Sequence, residues 1–229
     1  AGVHPKNNYV DNKIFLQNRK IIKTLNYFLQ KTKKCIFFTS FKTCINKNKK
    51  IISAKNKYDF YQYENNYGKT KIINEKIFLK LCKKYEVKYT LLAPSHVIGP
   101  GDKKINPNVN EILKVRKSFL KIVPECNISL VDVRNISNFV LDIISKDKIN
   151  NDKIILNDIN LNFKDYVKKI KNEKYIFLVL INLSVLKIIF FISNILKKII
   201  NISFITLNQY AYIKLNPLTE ITSYEKKFS

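Results

Sequence analysis

Apolar residues recur at helical spacing over residues 13–30, where Ile14, Leu16, Ile21, Ile22, Leu25, Phe28 and Leu29 form one face among lysines. An uninterrupted apolar run, Cys35-Ile-Phe-Phe-Thr39, follows. A run that short and that apolar predicts a strand buried on both faces of a parallel sheet. Residues 42–58 are rich in Lys and Asn and predict a loop. Helical spacing returns at 67–84, and Val87–Pro94 predicts a second buried strand stopped by proline. Gly99-Pro100-Gly101-Asp102, with Pro107 close behind, is a turn signal. Further on, the pattern predicts a helix at 109–121, a strand at 128–133, a helix at 135–145, a short strand at 154–156 and a helix at 162–170. Helices alternating with strands predict an α/β fold built on a parallel sheet.

Residues 175–200 break the pattern. Tyr175 to Leu196 carries a single charge, Lys187, and is interrupted by Asn182, Ser184, Ser193 and Asn194. Its length fits either a membrane span or a pair of amphipathic helices, buried or facing a membrane. No internal repeat is present.

Charge changes the picture less than its size suggests. The 229 residues carry 42 Lys+Arg against 17 Asp+Glu, a net charge of +25. A basic protein invites a nucleic-acid or anionic-membrane reading. Only Arg19, Arg116 and Arg134 are arginines, however, and base readout favours arginine's planar fork. Lys, Asn, Ile, Phe and Tyr are enriched together along the whole chain, which is a coding bias rather than a patch. A nucleic-acid partner is therefore set aside. Cys35, Cys44, Cys82 and Cys126 form no C-x-x-C pair, and His4 and His96 lie apart from them, so no metal site is expected. Free thiols fit a reducing, cytoplasmic compartment.

The candidate chemistry lies in Tyr67-Gly68-Lys69-Thr70-Lys71. On a helix, residues i and i+4 share a face, so Tyr67 and Lys71 can share a site. A lysine charge there is expected to favour the phenolate and lower the tyrosine pKa, giving a usable acid/base. In a chain with 13 tyrosines the pattern alone reads more readily as a solvated helix face than as a site.

Its setting adds more. The YGKTK segment, with five others in the same order, resembles the extended short-chain dehydrogenases, the NAD(P)-dependent epimerase/dehydratase type. Ala1-Gly2 resembles the end of that family's fourth strand. Ile21 to Asn26 resembles N-V-x-G-T-x-N, with Thr24 and Asn26 matching and Lys20 and Lys23 departing. Phe37-Phe-Thr39-Ser40 resembles the strand ending in T-S-S. Ala93 to Asp102 resembles the segment lining nicotinamide and then substrate, and Val131-Asp-Val-Arg-Asn135 resembles V-D-V-R-D. The similarity is closest to the dihydroflavonol-reductase-like branch, which includes the hopanoid-associated sugar epimerases.

The resemblance implies a Rossmann-like parallel sheet followed by a small, mostly helical substrate-binding part. Residues 1–100 would be the C-terminal half of the Rossmann-type domain. Residues 101–229 would be a mixed substrate part that includes later Rossmann elements (128–145) and the apolar segment 175–200. It implies Tyr67 as catalytic acid/base, with Lys71 holding the nicotinamide ribose. Ala1, Gly2, Pro94, Ser95, His96 and Val97 would line NAD or NADP, and Asp102, Lys103 and Pro107 would lie near the substrate. The family's catalytic serine falls on Phe41 without a gap and on Ser40 after a one-residue shift; both alignments stay open.

The Gly-rich phosphate turn and the first three strands would precede residue 1, so the chain is expected to be part of a longer protein or the product of a decaying gene. It would then bind cofactor weakly or not at all. The activity implied is hydride transfer on a nucleotide sugar or a small carbonyl or alcohol. The alternatives are a non-catalytic family member and a membrane-associated reductase resembling the steroid dehydrogenases. A homodimer packed through the Tyr67 helix is a further implication, as is membrane association through 175–200.

Overall fold

The computed structural model describes residues 20–101, 112–113, 115–117, 120–171, 177–200 and 207–222. Helix α1 (Ile21–Leu29) leads into strand β1 (Lys34–Phe38), helix α2 (Asn66–Tyr85) and strand β3 (Lys88–Pro94). Between β1 and α2 lie a 3-10 turn at Phe41–Cys44, the two-residue strand β2 (Ile51–Ile52) and a second 3-10 turn at Tyr61–Tyr63. β1 and β3 pair in parallel, from Lys34 opposite Lys88 to Phe38 opposite Leu92. Parallel neighbours need a crossover, and α2 supplies it. The N-terminus of α2 therefore sits at the carboxyl edge of the sheet, where α/β folds bind their ligands.

The third parallel strand is β7 (Asp152–Leu156), giving the order β1-β3-β7. Residues 128–133 were expected in the parallel sheet. Instead β6 (Asn127–Asp132) runs parallel to β4 (His96–Ile98) and antiparallel to β8 (Ile159–Asn162), in a separate three-stranded sheet. Helix α3 (Val133–Ser145) still covers the main sheet. Its Ile136, Phe139 and Ile143 pack with Leu92, Ile154 and Leu156. On the other side, α1 and α2 bury Leu29, Phe78 and Cys82 against Cys35 and Leu91. Phe78 stacks on Phe37 with ring centroids 4.3 Å apart. The result is a layered α/β fold with helices on both faces of a parallel sheet.

The remaining elements form a second cluster. Helix α4 (Phe163–Ile170) buries Tyr166 and Val167 against Val115, Val123 and Leu130. Strand β5 (Leu120–Pro124) pairs in parallel with β9 (Phe177–Ile181). The helix expected at 109–121 gives way to strand by residue 120. The apolar run 175–200 is neither a span nor a helix pair: it holds strand β9 and one helix, α5 (Leu183–Ile200). Asn182 divides them, its Oδ1 accepting from the Val185 backbone N–H at 3.0 Å. Among the described residues no helix is long and apolar enough to cross a membrane. Helix α6 (Leu207–Leu215) and strand β10 (Leu218–Thr219), which pairs with β2, are the last of the described elements.

Candidate active site

Helix α2 starts where it does because Asn65 caps it. The Asn65 Oδ1 accepts from the Gly68 backbone N–H at 2.9 Å, and the Thr70 hydroxyl donates to the Tyr67 carbonyl at 2.7 Å. Gly68 is the residue the first turn can hold. A Cβ there would lie 2.0 Å from the Oε2 of the buried Glu64 carboxylate. Tyr67 and Lys71 follow on one face, both half-buried, with Lys71 Nζ 5.5 Å from the Tyr67 ring centroid.

The electrostatics reverse the expectation. Burial pushes the Tyr67 phenol up to about 12, and burial also lowers Lys71. The ammonium lies over the ring face, and the cost of a buried phenolate exceeds what that charge returns. Tyr67 is thus a protonated phenol throughout the neutral range.

The other predicted residues gather along the carboxyl edge of the sheet. Thr39 follows β1, and its N–H donates to the Leu92 carbonyl at 2.9 Å. Ser40 caps the 3-10 turn, its Oγ accepting from Lys42 N at 3.3 Å. Phe41 turns inward, 3% exposed, into a cluster with Cys44, Ile45, Ile52, Phe60, Ala93 and Ile155. Its ring lies 5.2 Å from that of His96. Pro94 ends β3. The next N–H, of Ser95, donates to the Leu156 carbonyl at 2.9 Å, so that two strand ends are tied together. The Ser95 hydroxyl is buried and has no hydrogen-bond partner among the described residues.

His96 and Val97 continue into β4, and Val97 packs against the main core. His96 Nδ1 lies 3.1 Å from the Ser129 carbonyl. A carbonyl only accepts, so the neutral ring carries its proton on Nδ1. Burial, with the Lys42 charge second, holds His96 down to about 4. Gly99, at φ +138, closes the segment. A Cβ there would meet Val133 Cγ1 at 2.6 Å, at the start of α3. Ala1, Gly2, Asp102, Lys103 and Pro107 lie outside the described residues.

One group in this region carried no sequence signal. Lys153, on β7, donates to Glu75 Oε1 at 2.6 Å and to Thr43 Oγ1 at 2.8 Å. The Thr39 hydroxyl donates to the other carboxylate oxygen of Glu75 at 2.6 Å. Glu75 lies one turn beyond Lys71 on α2. The network therefore fixes the height of the Tyr67 helix against β7, the end of β1 and the 3-10 turn. The Glu75 and Lys153 side chains are only 12% and 17% exposed. Removing one partner of such a pair strands the other charge out of water. Lys153→Met is expected to cost about 3 kcal/mol in a denaturant titration, and adding Glu75→Gln should recover most of it. A single variant within about 0.5 kcal/mol of wild type would mean that the pair is solvated.

Set beside known proteins, residues 4–133 match the family described as NAD dependent epimerase/dehydratase. No curated protein sequence matches the chain significantly. Among solved structures it is similar to gox2253 (17% identity, TM-score 0.77), covering 99% of this chain and 70% of that one. It is also similar to UDP-glucose 4-epimerase from Brucella ovis in complex with NAD (15% identity, TM-score 0.61), covering 74% of this chain and 59% of that one. A third, RMD from Pseudomonas aeruginosa complexed with NADPH (12% identity, TM-score 0.58), covers 80% and 67% respectively. At these identities the likeness is one of fold.

Proposed function

From its membership of the NAD dependent epimerase/dehydratase family, to which this chain belongs, we propose that it contributes the catalytic half of an NAD(P)-dependent epimerase, dehydratase or reductase acting on a sugar nucleotide. The observation that carries the reading is the Tyr67–Lys71 pair, on one face of α2 at the carboxyl edge of the sheet. The Brucella ovis and Pseudomonas aeruginosa relatives, with their bound NAD and NADPH, support the choice of cofactor.

The residues present fit the nicotinamide end of such a cofactor. Lys71 would hold the ribose. The backbone of Pro94 to Val97 would line the ring, where the buried Ser95 hydroxyl has a hydrogen bond to give. The cofactor would supply the hydride acceptor and donor. Tyr67, kept protonated by burial, gives its proton to a substrate oxygen as negative charge develops there. The Lys71 ammonium then shares the site with the phenolate left behind and steadies the anion until it is reprotonated. Asp102, Lys103 and Pro107 are assigned to the substrate side by resemblance.

A titration of the protein with NADH and NADPH, followed by nicotinamide fluorescence, tests this reading. Weak but saturable binding is expected, weakened about tenfold further in Lys71→Ala, since a hydrogen bond from a charged group contributes about 1.5–3 kcal/mol. Equal binding by wild type and variant would remove Lys71 from the site.

One observation favours a second reading, a family member that keeps the fold without turnover. With Phe41 in the core, the ungapped alignment puts no hydroxyl at the family's serine position, and the Ser40 Oγ of the shifted alignment accepts from Lys42 N–H in capping the 3-10 turn. That reading expects nucleotide binding with no turnover on any sugar nucleotide.

A further inference from the structure

Among the described residues, helix α5 touches the rest of the protein along one side. Leu186 and Ser193 are buried there, and Phe190 stacks on Tyr210 of α6 with centroids 4.5 Å apart. The opposite side carries Val185, Ile188, Phe191, Ile192 and Ile195, between 42% and 65% exposed. Spacings of three, four and seven residues set these five on one arc. Single apolar residues on a surface need no explanation, but a continuous strip marks a binding surface. A second apolar face precedes it, across Asn182. On the β5–β9 ribbon, Ile122 and Val179 are register partners, both half exposed, and Phe177 lies two residues along on the same side.

Charge decides what covers this surface. Between Glu173 and Glu220 the sequence has no Asp or Glu, while it has Lys174, Lys187, Lys197, Lys198 and Lys214. Lys187 is exposed on α5 itself, and Lys168 and Lys169 are exposed on α4. A second copy would bring its own Lys187 to the same face, and with a net charge of +25 the two would repel. A partner with an apolar interior and a negative surface meets both demands. The helix cannot span such a partner. Its inner side is committed to α6, and it is not long and apolar enough to cross a membrane. It can lie along one.

We propose that the exposed arc of α5, together with the outward face of the β5–β9 ribbon, docks on the surface of an anionic lipid bilayer. The apolar side chains sit at the boundary of headgroups and acyl chains, and the lysines sit among the headgroups. The proposal stands apart from the dehydrogenase reading, because it uses none of that site's residues.

Vesicle flotation and a single fluorophore test it. The chain should float with vesicles of phosphatidylcholine and phosphatidylglycerol in equal parts, and not with phosphatidylcholine alone. Ile188→Glu/Phe191→Glu should lower the partition about tenfold or more. The chain contains no tryptophan, so Phe191→Trp adds the only one. Its emission should shift to the blue on anionic vesicles and be quenched by brominated acyl chains, a result that does not depend on how the charged variant folds. Unchanged emission overturns the proposal. So does binding that the double Glu variant retains and salt abolishes, which would be lysine electrostatics alone. A dimer in light scattering without vesicles, broken by the double variant, would assign the face to a second copy and overturn it likewise.

Discussion

Tyr67→Phe is expected to lower kcat/KM on a sugar nucleotide by about 10²–10⁴-fold, the range for loss of a positioned proton donor. Two features make this a test of chemistry rather than of folding. The substitution keeps the ring, which lies half-buried beneath Lys71. It also keeps the backbone carbonyl that accepts from Thr70, so the first turn of α2 retains its bonds. Nucleotide affinity and Tm should stay near wild type. The pH profile sharpens the test. A phenol lowered by a lysine would lose its proton near neutrality, and a proton-donating step would slow as the pH rose past 7. Burial instead holds the phenol at about 12, so the protonated form persists to high pH and the donating step should show no such loss between pH 7 and 10. Turnover retained in Tyr67→Phe would remove the residue from the mechanism. A loss with apparent pKa near 7 in wild type would mean that the bound state overrides the burial cost.

The parts of this site that could be read from sequence are those in which one segment carries the whole signal. Tyr67 and Lys71 are four residues apart, and helical geometry alone unites them. The strands Lys34–Phe38 and Lys88–Pro94 are short apolar runs ended by a polar residue and a proline, and parallel burial follows from that pattern. What remained illegible depends on partners distant in sequence. Lys153 sits at the polar start of a strand and reads as surface, yet it meets Glu75 78 positions away. The direction of the Tyr67 shift was misread for a related reason: a sequence displays the neighbouring charge but not the burial that outweighs it. In 175–200, hydropathy cannot separate the strand Phe177–Ile181 from the start of the helix Leu183–Ile200, because both are predominantly apolar. Only Asn182 marked the boundary. The contact between the rings of His96 and Phe41 likewise joins residues distant in sequence.

That contact leads to the second large effect, at the position where the resemblance leaves the serine open. Phe41→Ser restores a hydroxyl to the ungapped alignment, and it is expected to destabilise the protein by about 4 kcal/mol without raising turnover. The stability cost has two sources. Emptying a phenylalanine site in a packed core costs about 3–5 kcal/mol. The Phe41 ring is 3% exposed among Cys44, Ile45, Ile52, Phe60, Ala93 and Ile155, a cluster drawn from several separate segments that cannot all close the gap. A hydroxyl placed there finds few acceptors, because the nearby Ser40 carbonyl already receives both the N–H and the hydroxyl of Thr43. The absence of a catalytic gain follows from the same direction of the side chain: an oxygen at Phe41 Cβ enters the buried cluster around Cys44, Ile45 and Ile52. An oriented donor at a reacting oxygen contributes about 10²–10³ in rate. A rise of about tenfold or more in kcat/KM for Phe41→Ser would therefore show that this position still faces the reacting centre, and that the phenylalanine displaced a working serine. Thermal denaturation and steady-state assay of the one variant measure both quantities. Lost stability with unchanged turnover would establish Phe41 as part of the fold, and would leave Tyr67 and Lys71 to carry whatever chemistry the protein performs.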